Sequence, residues 1–154
     1  MDSEPADSAT EGQRVDERTA AAPYVDVAPP PWWLAAAGGA WAGALVAMLA
    51  LTERSSASVV GIGLLLLAQM AFVTWYPRRH GALPSRTGAP PEFATIFARY
   101  PFVLLAIMAL TAAVWLLLDA WVAAGTAAVL VGVGLAVYLR AYADAAARTR
   151  QRLG

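Results

Sequence analysis

Apolar residues gather in four nearly unbroken runs, about 33–51, 58–76, 101–118 and 121–139, and polar residues are confined to the segments between and beyond them. A helix crosses the hydrocarbon of a bilayer, about 30 Å thick, with about 20 residues rising about 1.5 Å each, and every run is close to that length. A water-soluble helical bundle would need a polar face on each helix, and none of the four runs keeps one. The last two runs are almost fused, but a single helix through both would be about 60 Å long, twice the slab. The chain must therefore fold back near Asp119. The pattern predicts an all-α integral membrane protein with four transmembrane helices arranged as two antiparallel hairpins.

The connection between the hairpins carries a second pattern. Phe93, Ile96, Phe97 and Tyr100 fall at i, i+3, i+4 and i+7, and Pro91 suits a first helical turn, so a short amphipathic helix is expected along the membrane interface. Pro101 is expected to redirect the chain from it into the third span. Ahead of the first span, residues 1–31 are acidic and rich in Ala and Pro. They are expected to be a disordered tail, either a solvated extension or an arm that folds on a basic partner, with 22–31 as a stiff, extended lead-in. Residues 32–140 form the membrane domain, with a loop over 77–100, and 141–154 a basic tail. No basic segment followed by an apolar one opens the chain, so the first span is read as a permanent helix.

Charge fixes the expected orientation. The 77–100 loop holds Arg78, Arg79, Arg86 and Arg99, and the C-terminal tail holds Arg140, Arg148, Arg150 and Arg152, whereas the opposite side has only Arg54. Arginine marks the cytoplasmic side, so both termini are expected there. Trp32, Trp33, Trp75, Tyr76, Trp121, Tyr138 and Tyr142 stand where aromatic belts belong. Arg78, Arg79, Arg86 and Arg99 serve either as topology determinants alone or also as contacts for anionic head groups.

Composition narrows the function classes. The chain is 59% apolar with a formal net charge of zero, so no basic excess is available to hold nucleic acid. It lacks Cys, which excludes disulfides, thiolate metal sites and a cysteine nucleophile. It also lacks Lys and Asn while Ala, Gly, Arg and Pro abound, the amino-acid economy of a high-GC bacterium, and the expected location is the bacterial inner membrane.

Small residues recur every fourth position on two spans: Ala35, Gly39, Gly43 and Ala47 on the first, and Ala124, Ala128, Gly132 and Ala136 on the fourth. Such faces let helix backbones approach closely, here either within the monomer or across a dimer. The polar groups at depth are few. Gln69 and Thr111 lie near the middle of the second and third spans and are placed to hydrogen-bond each other; Gln69 is otherwise a contact for a ligand or a partner. His80 has no second metal ligand at a suitable spacing, Ser55 and Ser56 have no adjacent base, and no glycine-rich phosphate loop occurs. No catalytic, cofactor-binding or metal-binding residue is assigned. The four-span plan resembles that of the small multidrug-resistance transporters, but the carboxylate those carry in the first span has no counterpart, so the resemblance covers topology alone.

These readings lead to a non-enzymatic membrane protein that acts by binding other membrane subunits or itself, as an accessory subunit, assembly factor or scaffold. A small oligomeric transporter or channel, its path lined by Gln69 and the small-residue faces, is the second expectation, and a membrane enzyme built on Glu53, Asp119 or the loop arginines the third.

Overall fold

Hydrocarbon offers no partner to a backbone N–H or C=O, so an apolar run long enough to cross it is stable there only as a helix that satisfies its own amides. The computed structural model describes residues 4–26, 31–52, 54–80 and 89–153, with side chains from residue 15 onward except those of Arg79 and His80. These residues form five helices and no strand: α1 (Glu4–Val25), α2 (Trp33–Leu51), α3 (Ala57–His80), α4 (Pro91–Leu117) and α5 (Ala120–Leu153). α2 to α5 are each long and apolar enough to cross a membrane.

The turns are capped by local polar groups. Asp119 accepts the Trp121 N–H on Oδ1 at 2.7 Å, and its carbonyl accepts Ala123 N–H, so α5 begins on an aspartate N-cap. Ser55 does the same for α3 through the Ala57 N–H at 3.2 Å. Within the spans, Thr74 and Thr126 return their hydroxyls to carbonyls of the preceding turn.

The closest helix contact joins α2 to α5. A Cβ on Gly43 would stand 2.8 Å from the Cβ of Ala128 and 3.0 Å from the carbonyl of Ala124; one on Gly39 would run into the Ala128 carbonyl and Gly132. Gly132 in turn lies against Ala35 and Gly39. The register 35–132, 39–128 and 43–124 is that of antiparallel helices whose small faces touch. Ala47 and Ala136 continue the same two stripes and are partly buried.

α4 lies along another side of α5, through Ile107 beside Gly134 and through the Tyr100 and Tyr138 rings, whose centroids are 5.4 Å apart. Among the described residues α3 packs on α2 alone: Trp41 Nε1 donates to the Leu65 carbonyl at 3.2 Å, and Met48 packs on Gly61. Among the described residues the helices thus form a curved row in the order α3, α2, α5, α4, with no backbone contact between its two ends.

Three expectations differ from the structure. α4 is continuous through Pro101, with no separate short helix before it. Proline removes one helical hydrogen bond and strains one turn, at about 3 kcal/mol, and contacts on both sides of the site outweigh that here. Residues 4–25 of the expected disordered tail are helical, and Ala21, Tyr24 and Val25 are buried. Residues 27–30 of the expected extended lead-in lie outside the described residues, and 22–25 belong to α1. Finally, the 141–154 tail continues α5, which at about 1.5 Å per residue is about 51 Å long, well over one bilayer.

Gly39→Val is expected to force α2 from α5 and lower the thermal unfolding midpoint in detergent sharply, whereas Gly125→Ala, where nothing lies within 4 Å of the added carbon, leaves it unchanged. Equal midpoints for the two variants would show that the α2–α5 contact is not what holds the helices together.

Candidate functional site

Because the row of helices is curved and open, its concave side encloses a cleft of about 1110 Å³. The floor is the α2–α5 pair, thinned by Gly38 and Gly134; the walls are α3, with Ala68, Gln69 and Phe72, and α4, with Val103, Leu104 and Ile107. Along α4 the lining runs from Thr95 to Ile107, about 18 Å at helical rise, close to the depth of one leaflet. Trp33, Trp75, Tyr100 and Tyr138 ring one end, and Arg99 stands among them, exposed and without an ion pair to any described carboxylate. Among the described residues Arg99 is the only charged side chain in the lining.

Gln69 sits about 9 Å deeper than Trp75 along α3. It lines the cleft, and its side chain makes no hydrogen bond to a described residue. Thr111 does not meet it: α3 and α4 are apart, and the Thr111 hydroxyl is buried within α4 with no hydrogen-bond partner among the described residues. The expected Gln69–Thr111 hydrogen bond is therefore absent, since it presumed a closed bundle. Trp41 both lines the cleft and ties α3 to α2. Of the loop arginines, Arg78 is exposed at the end of α3 and away from the cleft, and Arg86 and the side chain of Arg79 lie outside the described residues, as does Glu53.

Beyond the aromatic ring, α1, the first turns of α4 and the last turns of α5 make a small cap with its own core. Phe93 is fully buried, with ring centroids 4.8 Å from Tyr142 and 5.5 Å from Tyr24, and Ala145 and Ala146 close the cluster. Two arginines complete the helix ends reciprocally. Arg150 of α5 donates from Nε to the Val25 carbonyl at 3.0 Å, and Arg18 of α1 donates from Nε to the Leu153 carbonyl at 2.9 Å. Each thereby satisfies a carbonyl that its helix leaves unpaired and adds a positive charge at the negative end of the helix dipole.

Glu92, ahead of the apolar stretch of α4, joins these elements. It accepts Arg152 Nε at 2.7 Å and the buried Thr149 hydroxyl at 3.2 Å, while Arg152 also reaches Glu17 of α1 at 3.5 Å. Desolvation pushes the Glu92 pKa up, but the hydrogen bonds and the Arg152 charge outweigh it and hold it below the usual glutamate value. Neither the cleft nor the cap follows from a motif. The signals that stood in the sequence were the 3–4 spacing of Ala21, Tyr24 and Val25 and the arginines crowded at the end of α5. Among the described residues no three His, Asp or Glu side chains gather.

Comparison of the chain with protein-family models, with curated proteins and with solved structures finds no match.

Phe93→Ala removes the centre of the cap core, a loss of about 3–5 kcal/mol for a buried aromatic. Hydrogen exchange is expected to quicken in α1 and in 141–153 while the spans keep their protection. Unchanged exchange in α1 would mean that the cap is not held by this cluster.

Proposed function

We propose that the protein is a non-enzymatic, multi-pass protein of a bacterial inner membrane that acts by binding other membrane proteins, as an accessory subunit, assembly factor or scaffold. The observation that carries the reading is the unclosed row of helices. Among the described residues the apolar stretch of α3 packs on α2 alone and that of α4 on α5 alone, so each end helix offers most of its circumference to a neighbour, and almost none of either stretch is buried within the chain. Close association of helices in lipid rests on shape and small residues, and α3 carries Gly63, with open space around it, along such an outer surface. The cap supplies a folded, charged surface beside the spans. On the arginine bias both termini and the cap face the cytoplasm, and the chain pairs as two antiparallel hairpins.

A second reading, a small transporter or channel formed by several copies, is favoured by one observation: Gln69 lines the cleft with no hydrogen bond to a described residue.

Purification of the tagged protein at native expression in mild detergent, followed by mass spectrometry, tests the first reading. A defined membrane complex in near-stoichiometric amount is the expected result. A homo-oligomer whose flux is abolished by Gln69→Leu, with insertion intact, would replace it with the second.

The orientation is tested in the cysteine-free chain with Ser56→Cys and Ser85→Cys and an impermeant maleimide on intact cells. Labelling is expected at 56 and not at 85, and the reverse would invert the topology.

A further inference from the structure

The cleft has a chemistry of its own, and it need not await the identity of a protein partner. Below Arg99 its lining is mainly apolar for about 12 Å along α4, it opens sideways where α3 and α4 part, and its rim bears aromatic side chains and one guanidinium that has no ion pair to a described carboxylate. A void of this size in hydrocarbon fills from the bilayer beside it, so the question is which occupant its charges select. No described carboxylate lines the cleft, and Arg99 offers a planar set of N–H donors suited to a phosphate. Trp and Tyr at the same level are the side chains that settle at head-group depth.

From this we infer that the cleft is a binding site for an anionic glycerophospholipid from the leaflet at the Arg99 end. The phosphate sits on the Arg99 guanidinium among Trp33, Trp75 and Tyr138, and the acyl chains lie between Phe72 of α3 and Val103 of α4, over the α2–α5 floor. The selectivity is electrostatic: a zwitterionic lipid of the same chains fits the same space, but its own cation offsets the attraction to Arg99. Gln69 lies too deep to reach the head group and takes no part in the selection. The inference goes beyond the partner reading and requires only that the four helices cross a bilayer.

Trp33, Trp41 and Trp75 line the site, so the full chain carries its own reporter. The protein is reconstituted in phosphatidylcholine vesicles containing a small fraction of chain-brominated phosphatidylglycerol or, in parallel, chain-brominated phosphatidylcholine, and quenching of tryptophan fluorescence is followed as that fraction rises. Phosphatidylglycerol is expected to quench at several-fold lower mole fraction. Arg99→Gln should weaken that preference about fivefold, the worth of one arginine near a head group, while Arg78→Gln and Gln69→Leu preserve it. Ala68→Phe, on an exposed wall away from the α2–α5 contact, should reduce quenching by both lipids, with helicity by circular dichroism unchanged. Equal quenching by the two head groups, or a preference that survives Arg99→Gln, overturns the inference. So does a cross-link from Ala68→Cys to a second polypeptide in native membranes, which would put a partner helix in the cleft.

Discussion

Inside a bilayer, leucine side chains on neighbouring helices gain little by touching, because lipid tails are as apolar as they are. What holds two spans together is the number of atoms brought to van der Waals distance, and that grows when the backbones come close. In this protein the constraint is met at one place, where Gly39 and Gly43 of α2 lie against Ala124, Ala128 and Gly132 of α5. The strongest helix pair is thus formed by the first and last spans, which are far apart in sequence, and not by spans joined through a turn. With α5 fixed against α2, the remaining helices are positioned by what is left of each surface: α3 on the free side of α2, α4 on the free side of α5.

The other features follow from that placement. Two end helices attached to a tight central pair diverge, and the space between them becomes the cleft. The same central helix continues past the spans and gathers α1 and the start of α4 around Phe93, so the membrane part and the cap share one backbone element. Buried aromatic packing dominates the cap, while its ion pairs sit nearer the surface, where such pairs contribute about 0–1 kcal/mol. The arginines matter there as terminators that satisfy carbonyls more than as partners of carboxylates.

How much of this could be read from residues alone depends on the range of the interaction. The four apolar helices were legible because hydrophobic length is a property of one segment, and so were the two small-residue stripes. Whether those stripes meet within one chain or across two was not, because both solutions use the same residues. The Asp119 cap was legible as a local device. The helical state of 4–25 is not legible there because acidic, Pro-containing composition argues for disorder, and the compensating burial of Tyr24 and Val25 is supplied by Phe93 and by residues of α5 more than a hundred positions away. Pro101 differs for the same reason: a local rule favours a break, and contacts of Phe93 and Tyr100 before it and Ile107 after it with α5 keep the helix continuous. Gln69 and Thr111 share a depth but not a side of the molecule, and depth was all the sequence could give.

The length of α5 has a mechanical meaning. A single helix that begins at one face of the bilayer and ends well beyond the other is a lever with its fulcrum at the glycine-lined contact with α2. From the level of Gly132 to Leu153 the arm is about 32 Å, so a tilt of about 10° at the fulcrum sweeps the far end by about 6 Å. Arg150 and Arg18 rivet α1 to that arm at two points. A change in the tilt of α5 against α2 would therefore be larger at the cap than at the cleft.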